Sequence, residues 1–315
     1  MVFYPQSVLK DQIVTIFGGT GFVGRYIVAE LAKAGARIRV ATRNPQSAYF
    51  LRQYGDVGQI VPVFCAYRNE MEIRDVIRGS DVVINAVGIL FERKSNHFSH
   101  IHTDLPNWMA RGCAALNIPR FIHISALAVD RAASEYAVSK LSGEHAVTAH
   151  FPQATILRPS VVFGVEDQFF NKFAALANIV HVLPLIGGGK SKFQPVYVAD
   201  VARAVVRCGE DARTMGKIYE LGGPDVMTLK DIYVKINDVT GRKNCLLSVP
   251  IWLMRIKAFF LGILPTPPIT NDQITSMQTD NIVTAHALSF RDLGIDPTSV
   301  DVILPDYLTR YVYRK

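Results

Sequence analysis

The sequence predicts an α/β protein, in which a doubly wound parallel sheet carries helices on both faces and a smaller mixed, mainly helical domain follows. Along the first half of the chain, apolar segments of strand length alternate with segments of helical period. After Pro159 the alternation stops, and short strands, loops and proline-rich connections follow. A chain of 315 residues, 49% hydrophobic and 19% charged, is long enough for one such domain and a smaller companion.

The elements of the first half can be placed one after another. Residues 12–18 are apolar without alternation, which is typical of a buried parallel strand, and the helix that starts at Phe22 places Val23, Ile27 and Leu31 on one face. Further strands are predicted at residues 37–42, 60–64, 81–87, 121–124 and 154–157, with helices around Trp108 and over residues 136–150. We expect a nucleotide-binding domain over residues 1–160, to which 195–224 return, and a smaller substrate- or partner-facing domain from 161–194 and 225–315.

Three glycines, Gly18, Gly21 and Gly24, stand where the first strand passes into the first helix. The chain must turn sharply there, bring backbone N–H groups close to a pyrophosphate and pack the helix tightly on the sheet. A phosphate at this point also meets the positive end of the helix dipole. The pattern therefore predicts a dinucleotide site in a Rossmann-type domain.

Residues at the ends of the second and fourth strands are expected to contact the dinucleotide, and the residue after the second strand indicates which dinucleotide it is. An NAD site places a carboxylate at the end of the second strand, but this chain has Arg43 there, which suits a 2′-phosphate. NADPH is therefore predicted and NAD is less favoured, with a surface role for Arg43 as the alternative. Small residues at the end of the fourth strand, Ala86, Val87 and Gly88, are expected to lie against the cofactor.

Tyr136 and Lys140 lie four residues apart, on one face of a predicted helix. Beside a nicotinamide, a lysine can lower the pKa of the phenol and hold the ribose hydroxyls. The tyrosine can then exchange a proton with a carbonyl or an alcohol. The pair is the candidate catalytic centre.

Together these motifs resemble the extended short-chain dehydrogenase/reductase superfamily, over nearly the whole chain. Within it the sequence is most similar to an atypical branch, that of the NADPH-binding accessory subunit of respiratory complex I and its bacterial relatives. The segments that carry this second resemblance are 87–92, 158–164, 183–190 with 193–197, and 280–283. The resemblance implies a cofactor site lined by Thr20, Phe22, Val23, Ser125, Tyr136, Lys140 and Pro159.

Two positions depart from the pattern of active family members. The resemblance implies a serine just after the fifth strand that holds the substrate oxygen, but Ala126 stands there and Ser125 comes one place early. The position of an assisting asparagine falls near His102. The cofactor half of the site is thus intact, while the substrate half is eroded.

Two functions of different class follow, and both are kept open. The first is an NADPH-binding subunit of complex I with little or no turnover, in which the nucleotide is mainly structural. The second is a freestanding NADPH-dependent reductase or epimerase-like enzyme that uses Tyr136 and Lys140. A weaker third is a sensor of the NADPH/NADP⁺ ratio.

Composition and charge limit the kinds of partner that this protein is expected to bind. The net charge of +7 suits an anionic partner, yet no basic run with interleaved aromatics predicts nucleic-acid binding. The cluster of His97, His100 and His102 lacks metal-ligand spacing, so no metal site is predicted. The apolar segment 251–264 contains Arg255 and Lys257 and is too short to span a bilayer. It is expected either to pack as a helix or to lie on a partner or anionic lipid surface.

The sequence also suggests where the protein resides. Its four scattered cysteines indicate a reducing compartment, and residues 1–12 resemble neither a signal sequence nor a transit peptide. If complex I is the partner, we expect contacts near the junction with the membrane arm. The location would then be the cytoplasmic face of the inner membrane in a bacterium, or the matrix side in a mitochondrion.

Overall fold

A computed structural model describes residues 7–93, 96–261 and 267–312. Two of the expectations above rest partly on residues outside these ranges. They are residues 1–6 of the N-terminal segment and residues 262–264 of the apolar segment. The strands in chain order are β1 (Ile13–Phe17), β2 (Arg37–Thr42), β3 (Ile60–Phe64), β4 (Val82–Asn85), β5 (Arg120–Ile124), β6 (Thr155–Pro159), β7 (Val162–Phe163), β8 (Val182–Ile186), β9 (Lys192–Phe193), β10 (Val196–Tyr197), β11 (Ile218–Leu221), β12 (Met227–Thr228) and β13 (Cys245–Val249).

Helices connect most of these strands. In chain order they are α1 (Phe22–Lys33), α2 (Glu70–Ile77), α3 (Leu105–Ala115), α4 (Glu135–His150), α5 (Phe170–Ile179), α6 (Val198–Glu210), α7 (Leu229–Thr240), α8 (Ile251–Leu261), α9 (Asn271–Ser276) and α10 (Val300–Leu308). A π-helical segment, Ser99–Asp104, runs directly into α3. None of the helices in the described ranges is both long and apolar enough to cross a bilayer.

Seven strands form the central sheet in the order β11-β6-β5-β4-β1-β2-β3, and every neighbouring pair is parallel. The strand order reverses between β1 and β4, which creates the crevice where doubly wound sheets bind ligands. Helices α1 and α6 pack on one face of the sheet, and α2, α3 and α4 on the other. The predicted doubly wound α/β fold is confirmed.

The later part of the chain builds a separate apolar cluster. Residues from α5, α7, α10 and β8 share this cluster, with Tyr233 and Phe170 among its largest buried side chains. Three small two-stranded sheets accompany it: β7 with β10, β8 with β13 and β9 with β12. The boundaries proposed above for the two domains stay a prediction.

A buried cluster of charges joins the sheet to α4 and to the later part of the chain. On β6, the Arg158 guanidinium donates to Glu144 of α4 (Nη2–Oε2 2.7 Å) and to Asp130 (2.6 Å). Burial is the largest single influence on Asp130 and raises its pKa, but the hydrogen bond and the charge of Arg158, with smaller contributions from the backbone and Arg131, together lower the pKa of that carboxyl. Glu220 on β11 lies 3.7 Å from Arg158 and accepts from the backbone and hydroxyl of Thr284. One cation thus connects two sheet strands, a helix and the C-terminal region.

We expect Arg158→Met to lower the free energy of unfolding by about 3–5 kcal/mol, because it leaves the buried Glu144 and Glu220 without their cation. Urea denaturation measures the change. Arg213→Met is the matched control, since it removes an exposed arginine that pairs with Asp211 at the surface and should have little effect. Equal losses in the two variants would show that the buried cluster adds nothing beyond a surface ion pair.

Candidate nucleotide site

The glycine loop is closed by contacts that leave no room for side chains. Gly18 has a left-handed backbone (φ 81°), and a Cβ there would lie 2.6 Å from the carbonyl oxygen of Ala86, after β4. A Cβ on Gly24 would overlap the carbonyl oxygen of Gly18. The start of α1, the end of β1 and the end of β4 therefore meet at backbone distance, as close packing of a helix on a sheet requires.

The N-terminus of α1 carries backbone donors that protein side chains leave free. Gly21 is the N-cap, and within the described ranges no side chain caps it and no acidic residue lies in the first turn. Thr20, Phe22 and Val23 surround this end and are half-buried. Phe22 forms an edge-to-face contact with Tyr26, 6.0 Å between ring centroids. This end of α1 can bind an anion through its N–H groups and its dipole.

Asn85 shapes the segment that follows β4. Its side-chain oxygen accepts from the backbone N–H of Val87 (3.0 Å), and its amide nitrogen lies 3.1 Å from Nδ1 of His123 on β5. A Cβ on Gly88, the next residue along, would lie 3.4 Å from Nζ of Lys140. The structure thus brings Ala86, Val87 and Gly88 together with the glycine loop on one side and α4 on the other.

The Tyr–Lys pair lies at the inner face of α4. Lys140 is buried, its Nζ donates to the carbonyl oxygen of Ile124 (3.1 Å), and burial lowers its pKa to about 8, with Glu144 opposing the shift. Burial raises the pKa of the Tyr136 phenol to about 12, so this hydroxyl keeps its proton at neutral pH. The shift is opposite to the one that the pair by itself suggests.

His102, near the position where the resemblance implies an assisting asparagine, uses both ring nitrogens in the protein. Its Nε2 accepts from the backbone N–H of Ile89 (3.1 Å), so the proton lies on Nδ1 and is donated to Ser139 Oγ (2.9 Å). Ser139 in turn donates to the Tyr136 carbonyl (2.8 Å). Burial lowers the pKa of His102 to about 2, so the ring is neutral. It packs edge-on against Tyr136, with 5.3 Å between ring centroids.

Ser125 and Pro159 lie at the carboxyl ends of neighbouring strands. The backbone N–H of Ser125 donates to Leu157 (2.8 Å), and that of Leu127 donates to Pro159 (2.8 Å). The Ser125 hydroxyl is buried and has no hydrogen-bond partner among the described residues. A buried polar atom without a partner costs free energy unless a ligand or water satisfies it.

Arg43 lies apart from the Tyr–Lys pair, directly after β2. Its Nη1 donates to the side chain of Asn96 across 3.4 Å, a long contact at the exposed surface. Because β1 and β2 are parallel neighbours, Arg43 after β2 and Gly18 after β1 lie at the same edge of the sheet. The site thus places a cation, an anion-binding helix end and the Tyr–Lys pair along one edge.

The sequence reasoning missed Asp272. The carboxylate of this residue on α9 accepts from the backbone N–H groups of Glu135 (2.7 Å) and Tyr136 (3.1 Å), the first two residues of α4. It therefore holds the start of the helix that carries the Tyr–Lys pair. A capping box at Thr270 predicts the start of α9, but no local signal indicates its contact with α4.

Tyr67, after β3, was missed as well. It has a left-handed backbone (φ 61°), its hydroxyl donates to the carbonyl of Ala41 (2.6 Å), and burial raises its pKa. Its ring packs on Phe17, the last residue of β1, with centroids 5.8 Å apart. A non-glycine residue with positive φ is an uncommon feature, and the sequence around Tyr67 gives no sign of it.

The fold, the glycine loop and the Tyr–Lys pair define a dinucleotide-binding α/β protein of the short-chain dehydrogenase/reductase type. More particularly, the chain belongs to the NAD dependent epimerase/dehydratase family, whose sequence model matches residues 14–222.

The chain is similar to subunits of a respiratory enzyme. It is 36% identical to the mitochondrial NADH dehydrogenase (ubiquinone) 1 alpha subcomplex subunit 9 of Arabidopsis thaliana, over 97% of this chain and 79% of that protein. It is 31% identical to the mitochondrial NADH-ubiquinone oxidoreductase 40 kDa subunit of Neurospora crassa, over 97% and 81%. A ceramide reductase of Caulobacter vibrioides is 31% identical over 62% of this chain and 60% of its own length.

Among solved structures, the NADPH complex of the quinone oxidoreductase QOR2 from Escherichia coli shares the fold. Its TM-score is 0.75 at 18% identity, and the match covers 94% of this chain and 99% of that one. The structure of MoeE5 with UDP-glucuronic acid and NAD has a TM-score of 0.62 at 18% identity, covering 75% and 85%. At these identities the likeness shows the fold alone.

The buried neutral histidines make stability depend on pH. Burial lowers the pKa of His102 to about 2 and that of His123 to about 3, whereas an unfolded imidazole titrates near 6.5. Below about pH 6.5 the unfolded chain binds more protons, so we expect the free energy of unfolding to fall by up to about 1.4 kcal/mol per pH unit for each histidine.

Urea titrations of the wild type and of His102→Gln at several values between pH 4 and 7 measure the slope of the unfolding free energy against pH. The slope should begin at about pH 6.5. The variant should lose the contribution of one histidine. His97→Gln is the control, because it makes the same substitution at an exposed histidine. An unchanged slope in His102→Gln would contradict the neutral buried state of that ring.

Proposed function

We propose that the chain is an NADPH-binding accessory subunit of respiratory complex I with little or no turnover, in which the nucleotide has a mainly structural role. The two full-length similarities above support the assembly, because both relatives bear the names of respiratory-enzyme subunits. Family membership supports the dinucleotide. The remaining question is whether this site binds a nucleotide without using it.

His102 carries the argument for low turnover. A reductase of this type must deliver a proton from the phenol to a substrate and replenish it. Here both nitrogens of His102 are engaged by Ile89 and Ser139, so this ring has no free position for a proton relay. The Tyr136 phenol holds its proton firmly, because burial raises its pKa to about 12. Ala126 offers no hydroxyl to a substrate oxygen.

The cofactor half of the site, in contrast, fits a dinucleotide. The N–H groups at the start of α1 would hold the pyrophosphate, and Tyr136 with Lys140 would hold the ribose hydroxyls. The buried, unpartnered hydroxyl of Ser125 is the kind of group that a bound nucleotide satisfies. The nucleotide itself supplies a transferable hydride. If it binds only the native state, it also stabilises the fold by mass action.

NADPH rather than NAD is proposed because of Arg43. The guanidinium stands after β2, where a 2′-phosphate would lie, and the hydrogen bond that it makes to Asn96 is long, at 3.4 Å. Charge-assisted pairing with a phosphate is stronger than that contact. Thr20, Phe22, Val23, Ala86, Val87, Gly88 and Pro159 are proposed to line the same site.

Arg43→Ala should weaken NADPH binding by about 1–3 kcal/mol, while NADH binding changes little. Isothermal titration with both nucleotides measures the two losses. Arg52→Ala is the control, because Arg52 stacks on Tyr49 at 4.2 Å from the ring centroid and is an arginine not assigned to the site. Equal losses of the two nucleotides in Arg43→Ala would remove Arg43 as the reader of the 2′-phosphate.

We further propose that the protein is peripheral, near the junction of the membrane arm. It would lie on the cytoplasmic face of the inner membrane in a bacterium, or on the matrix side in a mitochondrion. Anionic lipid is a further partner of this location, which the basic net charge of +7 favours.

Isolating the tagged chain from membranes in mild detergent should recover complex I subunits together with one tightly bound nucleotide, identified as NADPH by mass. Gly24→Val, which would place atoms on the Gly18 carbonyl, should recover less nucleotide. A chain that stays wholly in the soluble fraction and never accompanies complex I would refute the assignment.

The intact Tyr136–Lys140 pair favours one second candidate, a freestanding NADPH-dependent reductase or epimerase-like enzyme. The partial similarity to a ceramide reductase points the same way. Steady NADPH oxidation with carbonyl or quinone acceptors, lost in Tyr136→Phe, would support it. No turnover across a broad panel of such acceptors would count against it.

A further inference from the structure

Helix α8 is attached to the protein by one narrow face. Met254 and Ala258 are its buried residues, 5% and 2% exposed, and they pack with Ile186 and Ile274. The other side chains of α8 are exposed or half-buried. The opposite face of the helix is therefore open to its surroundings.

That open face is apolar. At 100° per residue, five large side chains fall within an arc of about 120°, directly opposite the buried pair. They are 45–69% exposed: Trp252, Leu253, Ile256, Phe259 and Phe260. A contiguous exposed patch of this kind marks a binding surface, since scattered single apolar residues are the rule elsewhere on proteins. We call these five residues the outer face of α8.

Two cations border the outer face. The same helical geometry places Arg255 at one edge of the arc and Lys257 at the other, and both are exposed. The sequence of α8 contains no acidic residue. Long basic side chains beside an apolar stripe extend towards phosphates while their stems lie along the apolar surface.

A cleft lies beside α8. About 340 Å³ in volume, it opens between the helix and the β8–β13 strand pair. Its lining is apolar apart from one ammonium, and consists of Pro184, Val249, Leu253, Met254, Ile256 and Lys257. An apolar cleft with a cation suits an acyl chain whose phosphate lies near that cation.

We propose that α8 lies in the headgroup region of an anionic bilayer, with its outer face towards the acyl chains and Arg255 and Lys257 on lipid phosphates. The cleft beside it takes part of one acyl chain. This deepens the proposed peripheral location, and rests on the proposed function only for the choice of membrane.

A lipid surface is favoured over a protein partner for two reasons. Basic residues that border an apolar face containing Trp and Phe, with no acidic residue in the helix, are typical of helices that lie in the interface of a membrane. The outer face is also a single convex helix, which inserts between lipids without needing a matching groove.

Co-flotation of the purified full-length chain with vesicles tests the proposal. Wild type should bind phosphatidylcholine vesicles that contain phosphatidylglycerol, bind pure phosphatidylcholine much less, and bind less at high salt. Phe259→Ser with Phe260→Ser should weaken binding about tenfold or more, because less apolar surface enters the lipid. Arg255→Gln with Lys257→Gln should abolish the preference for the anionic vesicles.

Met71→Ser is the matched control, since Met71 is 72% exposed on α2 and lies outside the outer face. Thermal unfolding of each variant checks that it is folded. Wild type that binds neither kind of vesicle overturns the proposal, as does a Phe259/Phe260 variant that binds as wild type does. If the wild type binds no vesicles and the serine variant no longer co-purifies with complex I subunits, the outer face binds a protein instead of a lipid surface. Vesicle binding without complex I would instead refute the proposed function and leave this one standing.

Discussion

Much of this structure depends on how closely α4 approaches its neighbours. Gly143 permits that approach, because a Cβ there would overlap the carbonyl oxygen of His102. The contact presses the π-helical segment Ser99–Asp104 against α4 and brings His102 beside Tyr136. The helix is then held by polar contacts on its inner face, where Lys140 bonds to β5 and Glu144 bonds to Arg158 of β6. Polar and charged contacts thus position α4 on the sheet.

To hold a dinucleotide, as proposed above, the candidate site needs only its cofactor half. The glycine loop, the start of α1 and the segment after β4 meet at backbone distances that suit a dinucleotide. In the other half of the site, the surrounding protein sets the state of His102 and of Tyr136. His102 spends both ring nitrogens on the protein, and burial raises rather than lowers the pKa of the Tyr136 phenol. A protein that gains stability from a bound nucleotide needs the first half alone.

The later part of the chain reaches this site through α9. Asp272 accepts from the first two backbone N–H groups of α4, while Ile274 of the same short helix packs with Met254 and Ala258 of α8. One element of six residues thus contacts both the helix of the Tyr–Lys pair and the helix with the exposed apolar face. The candidate nucleotide site and the candidate lipid surface share a structural support.

The sequence by itself determined the features that local pattern encodes. Apolar runs and helical period placed the six sheet strands predicted in the first half within a few residues, and the glycine spacing and the Tyr136–Lys140 interval indicated a candidate cofactor site. The tertiary structure alone decided the state of that site. The Arg158 cluster and the contact of Asp272 with α4 join residues that are far apart in the chain. The hydrogen bond from Ile89 to His102 depends on a π-helix that the sequence did not predict. The pKa of a phenol depends on what buries it, and burial arises only when distant segments pack together.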